Sequence, residues 1–438
     1  MLQFVLWLRS PSGAIYGYKE ELRSLCRLDL ALCHGNRESR PQRQRTARKR
    51  RSCNQYGAIW QLVDTGLYLV RVAGAWSLGK WRRRMKEDGM PVSIVVGGQF
   101  GSEGKGKTAL EIVRRDCTTI AAVRVGGTNS GHTAIARNGK RYALRQLPAA
   151  CVDCSVKAIL PAGCYIDVRI FREEVRRLGL GPDQVAVSPM ARVITDQHKS
   201  WERDADLGRA IGSTQSGTGA AVMAMTARGA AQFSLQSVQA EEVPELQDYL
   251  ADTGLELRRM LNAGRRVVVE GTQGFGLSLL QGGFWPKATS RDTTSAAFLA
   301  EAGLSPLDVD DVTLVIRCHP IRVAGDSGPL PGQTSWEQIA DEAGITENIE
   351  ELTTVTARLR RVGRFDPQIV RRAIQANQPT RIVLNHLDYV DPKVRDRSLT
   401  AKARAFVEIV EEAIGRRVDW LGIGPGQMMN RQPACVLT

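Results

Sequence analysis

From residue 92 onward, short apolar runs closed by Gly or Pro alternate with longer amphipathic stretches. SIVVGG (93–98), IAAVRVGG (120–127), KAILPAG (157–163), VAVSPMARVI (185–194), RRVVVEG (265–271), VTLVIRCHPIRV (312–323) and RIVLNHLDYV (381–390) place apolar residues side by side rather than at every second position. That pattern belongs to strands covered on both faces. Residues 168–178, 367–376 and 400–414 carry helical spacing instead. Strand–helix alternation of this length predicts an α/β fold: a single large domain with a mostly parallel central sheet and crossover helices. No run approaches the roughly 20 apolar residues of a membrane span, so no membrane partner is expected.

Residues 1–89 break the pattern. They hold four of the eight Trp (Trp7, Trp60, Trp76 and Trp81) and two basic clusters, Arg43 to Arg51 and Arg82 to Lys86, without sustained periodicity. The chain of 438 residues has a formal net charge of +14, which taken alone suggests a nucleic-acid partner. Residues 1–89 carry 18 Lys+Arg against 7 Asp+Glu, so +11 of that charge sits there; 42 basic against 39 acidic side chains remain. The segment reads as a basic extension, either disordered or lying upstream of the true start, and a nucleic-acid partner is not expected for the rest. Nine cysteines at irregular spacing do not form a disulfide framework, which favours a reducing cytoplasm. Cys151 and Cys154 form a lone C-x-x-C without a second pair, so no zinc site is expected.

The first run continues as IVVGGQFGSEGKGKTALEIV. A buried strand enters Gly97, Gly98, Gly101, Gly104 and Gly106, with Lys105 and Lys107, and then a helix begins. Glycines let backbone N–H groups close on a polyphosphate, and the helix N-terminus adds partial positive charge. Gly101 to Thr108 satisfies the Walker A spacing. A second Gly-rich turn, VRVGGTNSGHT, ends at Thr133 and contains His132, one of five histidines. It follows a strand at the carboxyl edge of the expected sheet, where open α/β sheets bind ligands.

GQFGSEGKGK and GGTNSGHT together resemble the adenylosuccinate synthetase family. IGSTQSGTG (211–219), VEGTQG (269–274), WPKATSRDTT (285–294), VTARLRRVGRFD (355–366) and LNHLDYVD (384–391) resemble further segments in family order. The resemblance implies a P-loop-related fold and a ligase that phosphorylates a purine O6 with a nucleoside triphosphate. The aspartate amine then displaces phosphate, with Mg²⁺ as counter-ion. It assigns Ser102, Lys105, His132 and Gln273 to catalysis. Gly101, Glu103, Gly104, Lys105, Gly106, Lys107, Asp388 and Gly424 would hold the triphosphate. Ser102, Asn129, Thr214, Gln273 and Thr289 would hold the acceptor nucleotide, joined by Arg228 from the partner in a homodimer. Thr356, Arg358 and Arg360 would bind aspartate, a task the planar Arg fork suits. Ser102 and the carbonyl of Gly131 would face the metal.

The chain departs from the family pattern in three places. Ser102 stands where the family has Asp, the base and metal ligand. Either the chain is an inactive nucleotide-binding homologue, or it takes another base: serine leaves room near the purine 2-position and can accept a hydrogen bond from a 2-amino group. Serine here resembles the phage 2-aminoadenylosuccinate synthetases, which implies dGMP as acceptor. His386 replaces the guanine-reading Lys and Gly426-Gln427 an Asp-Arg, which implies ATP or dATP as donor, although the retained Asp388 keeps GTP open. Ser216 stands where Arg is usual, and nothing in the sequence explains it. Ordinary adenylosuccinate synthetase, with IMP and GTP, is the alternative within the family. A nucleic-acid-binding NTPase fits the Walker A match but has no Walker B run after a strand.

Met90 precedes the first ordered run, so translation is expected to begin there. N-terminal sequencing of the native protein should read Met90 or Pro91; a native chain beginning at Met1 defeats this.

Overall fold

The computed structural model describes residues 91–153, 155–353 and 358–431, together with the backbone of four strands within residues 1–89. The chain divides into two compact units, Met1–Gly89 and Met90–Thr438. In the first, Phe4–Arg9 pairs antiparallel with Ile15–Glu20 and Ile59–Val63 with Gly66–Val70. The two basic clusters lie outside the described residues.

The second unit is built on a central sheet of nine strands: β1 (Val92–Gly97), β2 (Thr119–Arg124), β3 (Lys157–Leu160), β4 (Val185–Val187), β5 (Arg266–Glu270), β6 (Val309–Arg317), β7 (Arg381–Asn385), β8 (Trp420–Gly424) and β9 (Gln427–Asn430). They hydrogen-bond in the order β4-β3-β2-β5-β1-β6-β7-β8-β9, and every pairing is parallel except β8 with β9. The apolar runs are continuous because successive residues face opposite cores. Ile94 and Val96 pack in one cluster while Val95 packs in the other, and β5 and β6 split their residues likewise. Helices α1 (Lys105–Arg115) and α2 (Val168–Leu178) cover one face; α3 (Pro367–Asn377) and α4 (Ala401–Ile414) cover the other. The expected fold class holds.

Local chemistry sets the ends of these elements. Asp167 caps α2 by accepting from Arg169 N and Ile170 N, and Gly179 closes it at φ 67°. Pro367 occupies the first turn of α3, where a missing N–H costs nothing. Helix α1 has no side-chain cap; Gly104 (φ 93°) precedes it, leaving its first N–H groups open.

Two of the expected strands are divided by prolines. Residues 185–194 form β4 and, beyond Pro189, Arg192–Val193, which joins a small separate sheet. Residues 312–323 end as β6 at Arg317; beyond Pro320, Ile321–Arg322 pairs with Arg361–Gly363. The hairpin of β8 and β9 was not expected, because its Gly-rich stretch lacks a strand pattern.

Phe298 is fully buried in the cluster that includes Val269, and its ring lies so close to Gly271 that a Cβ there would meet it at 2.2 Å. Phe298→Ala should cost about 3–5 kcal/mol, read as a lowered urea midpoint; an unchanged midpoint would show that the helix Ser295–Ala302, which carries Phe298, does not lock the sheet.

Candidate active site

The carboxyl ends of β1, β2, β5 and β6 deliver four loops to one place. The loop from Gly98 to Gly104 is shaped by Glu103, which is wholly buried. One carboxylate oxygen accepts from Gln99 N at 3.1 Å and Gly101 N at 2.8 Å; the other takes the Lys105 ammonium at 2.7 Å. Lys105 also donates to the carbonyl of Gln273, which ties this loop to the one after β5. Glycine is required at 274, where a Cβ would lie 2.3 Å from a Glu103 oxygen. Ser102 (φ 57°) and Gln273 (φ 61°) both adopt the left-handed region, a strained backbone for such residues that recurs at functional sites. The Walker A threonine, Thr108, is buried and donates to Gly104 O within its own helix.

His132 stands over this loop. Its Nδ1 lies 2.5 Å from Glu270, which also accepts from Arg124 at 2.7 Å and from Ala149 N at 2.8 Å. Burial, and then the Arg124 guanidinium, push the imidazole down to about 3. Burial alone would raise Glu270, but His132 and Arg124 hold its carboxyl below its ordinary value. The ring is therefore neutral, with Nδ1 directed to Glu270. An Arg124 N–H reaches the same Nδ1; where Nδ1 donates to Glu270, Nε2 needs a second proton to donate to a phosphoryl oxygen, and an approaching polyphosphate would favour one electrostatically.

Ser102 belongs to a third group. Arg360 donates to its hydroxyl at 2.7 Å, and Arg317, fully buried, donates to its carbonyl at 3.1 Å. Glu351 binds both guanidiniums, at 3.2 Å from Arg360 and 2.6 Å from Arg317. Burial would raise Glu351, yet Arg317 and its neighbours hold it at about 2, so it stays ionised and is a poor base.

Two cavities open onto these groups. One, of about 190 Å³, is lined by Asn129, Thr214, Ser216, Gln273 and Thr289, among others; Ser216 bridges Thr214 and Thr218 at 3.2 Å each. The other, of about 510 Å³, is lined by Gly104, Lys105, Gly106, Lys107, His132, Asp388 and Gly424. Ser102, Gly131 and Arg360 line both. The cavities meet there, as a transfer between two bound molecules requires.

Most of the expected site residues are thus brought together. Gly101 lines the smaller cavity; Glu103 lines neither and shapes the loop instead. Lys105 is committed to Glu103 and Gln273, while Lys107 runs along the larger cavity and donates to Gly424 O at 3.2 Å. Arg358 and Arg228 are exposed and line neither cavity. Thr356 and Cys154 lie outside the described residues. Among the described residues, no three His, Cys, Asp or Glu side chains gather as a metal site, and none of their helices is long and apolar enough to cross a membrane. Ser102 Oγ faces a guanidinium, so with Gly131 it makes a weak donor pair that suits only a Mg²⁺ carried in on phosphates. Arg124, Glu270, Arg317 and Glu351 were not singled out from the sequence. For Arg124, Glu270 and Arg317 the signal was a charge at the end of an apolar run, as in IAAVR, RVVVE and LVIR; Glu351 carried no such signal.

A family model described as adenylosuccinate synthetase matches residues 94–242 and 234–395. Adenylosuccinate synthetase of Pyrococcus horikoshii is 37% identical over 343 residues, covering 77% of this chain and 96% of the relative. That of Archaeoglobus fulgidus is 35% identical over 341 residues, covering 77% and 96%. Among solved structures, the cyanophage S-2L succinoaminodeoxyadenylate synthetase, bound to dGMP and to dATP as an energy donor, superposes with a TM-score of 0.63 at 27% identity. The match spans 78% of this chain and 95% of that one. The fully ligated Plasmodium falciparum adenylosuccinate synthetase shares the fold, with a TM-score of 0.66 at 20% identity over 78% of this chain and all of that one.

Burial lowers Lys107 from 10.5 to about 8, against the pull of Asp388. An anion that needs its ammonium should therefore bind well below about pH 8 and weaken as pH rises through it. Equilibrium binding of a non-hydrolysable triphosphate across pH 6–10 checks this. Lys107→Arg should remove the break, since a guanidinium keeps its proton; a break that persists belongs to another group.

Proposed function

The chain belongs to the adenylosuccinate synthetase family of carbon–nitrogen ligases, and we propose that it condenses L-aspartate with dGMP, using ATP or dATP, to give N6-succinyl-2-amino-dAMP. The observation that carries this reading is Ser102 at the junction of the two cavities. A neutral hydroxyl there, held by Arg360, offers an acceptor and space beside a purine 2-amino group. The cyanophage enzyme, whose structure holds dGMP and dATP, supports it.

In this reading the smaller cavity takes the acceptor nucleotide. Asn129, Thr214 and Thr289 hold its 5′-phosphate, and Gln273 directs O6 toward the junction. The larger cavity takes the donor, whose phosphates lie on the open N-terminus of α1 beside Lys107. Gly131 O would be the protein ligand of a Mg²⁺ carried on those phosphates, which would neutralise phosphoryl charge. His132 donates to the phosphoryl oxygens once protonated, oriented by Glu270. Arg360, with Arg358 and Thr356, holds the aspartate carboxylates so that the amine meets C6 as phosphate leaves. Arg228, exposed at the end of helix Thr218–Ala227, reaches the acceptor phosphate of a second copy in a homodimer.

The archaeal relatives' names favour a second reading, IMP as acceptor with GTP as donor. Purified protein given aspartate, ATP and either dGMP or IMP separates the two. ADP release with dGMP is expected; turnover with IMP alone overturns the proposal. Lys105→Ala should abolish turnover, because it unties the Gly98–Gly104 loop from Gln273. Ser102→Asp should lower kcat/KM for dGMP by about tenfold or more, through crowding of the 2-amino group; unchanged dGMP kinetics count against the pocket argument.

A further inference from the structure

Asp388 is a buried carboxylate, only 3% exposed, in the wall of the larger cavity, which the Gly-rich loop also lines through Gly104, Lys105, Gly106 and Lys107. With a triphosphate on that loop, the part of the wall left for its base is the one made by His386, Asp388, Arg395 and Gly424. One oxygen of this carboxylate is already taken. Arg395, which also lines the cavity, places Nη2 at 3.0 Å and Nε at 3.3 Å from the same atom, Oδ2. Its stem lies against Gly424, where a Cβ would meet Arg395 Cγ at 3.5 Å. Beside them, His386 also lines the cavity, is held in the left-handed region at φ 63°, and has a buried Nε2 with no hydrogen-bond partner among the described residues.

We propose that Arg395 selects the donor base by occupying half of Asp388. Guanine presents two adjacent donors, N1–H and the 2-amino group, and a carboxylate reads them by accepting one on each oxygen. With Oδ2 committed to Arg395, Asp388 has one oxygen to offer. Adenine needs only one acceptor, for its 6-amino group, and beside it needs a donor for N1. The guanidinium has five N–H groups, so those beyond the Asp388 contact can supply that donor. The pair Asp388–Arg395 thus matches the edge of adenine and leaves one guanine donor unsatisfied. An unsatisfied buried donor is the stronger form of discrimination. This rests on the larger cavity being the triphosphate site.

The test compares kcat/KM for ATP and GTP in the full chain, with dGMP and aspartate, for wild type, Arg395→Leu and Arg395→Lys. Arg395→Leu should raise the GTP-to-ATP ratio by about tenfold or more, the worth of one charge-assisted hydrogen bond, mainly through KM for GTP. Arg395→Lys, which keeps a cation on Oδ2, should stay near the wild-type ratio. Calorimetric binding of ADP and GDP to Arg395→Gln gives the same comparison without turnover. If wild type prefers ATP and the ratio does not move in either neutral variant, Arg395 has no such role. If wild type prefers GTP, the donor assignment itself is overturned, and this inference with it.

Discussion

The site depends on a charge pair sealed inside the Gly-rich loop. Glu103 and Lys105 are both essentially without solvent, and removing ions from water is costly unless their remaining hydrogen-bonding capacity is filled. Here it is filled by the loop's own backbone, through Gln99 N and Gly101 N, and by the Gln273 carbonyl across the gap between β1 and β5. The pair therefore fixes geometry. It turns the chain back at Gly101, sets Ser102 in a left-handed conformation facing the cavity junction, and leaves the N-terminus of α1 open. Lysine in a Gly-rich loop suggests a phosphate ligand, yet Lys105 serves first as a strut, and Lys107 is the cation that runs along the larger cavity.

The same logic recurs at the ends of the neighbouring strands. Arg124 at the end of β2 and Glu270 at the end of β5 share a hydrogen bond because those strands are adjacent and parallel. His132 is held by that pair. Arg317, at the end of β6, meets Glu351 and through it Arg360. A parallel sheet places its carboxyl ends on one edge, so a charge at the last residue of a buried strand emerges at the site. Each such charge is costly alone and is tolerated because a partner from another strand or loop completes it.

This explains what was legible in the sequence. The strands of the central sheet from β1 to β7 could be read because burial on both faces makes them continuous apolar runs. The β8–β9 hairpin could not, because GIGPGQ is chosen for close backbone approach: a Cβ at Gly422 would fall 1.8 Å from Asn385 Oδ1. The Gly-rich turns were legible as parts of the candidate site because glycine and lysine after a strand have few other uses. The charge networks were not, since pairings such as Glu270 with Arg124 are set by strand order, which the sequence does not state. Nor does Gly101–Thr108, a formal Walker A match, reveal that Thr108 turns back onto its own helix.

Ser102 draws these threads together. Two guanidiniums, Arg317 and Arg360, converge on the junction, and a single carboxylate, Glu351, answers both. An aspartate at 102 would supply a second negative charge and balance the group. With serine, two guanidiniums at the junction face one carboxylate, next to the point where the proposed function brings phosphoryl oxygens and a dicarboxylic acid together. The change thus removes a base but increases the pull on both anionic reactants at short range, where water is scarce and Coulomb interactions are strong. On the proposed function, it would also hand the choice of acceptor to shape and hydrogen bonding at the purine 2-position, because the residue beside the base would no longer carry a charge. A position that loses its carboxylate while keeping both arginines is organised for anionic substrates. That is the physical ground for reading Ser102 as a change of specificity rather than a loss of function.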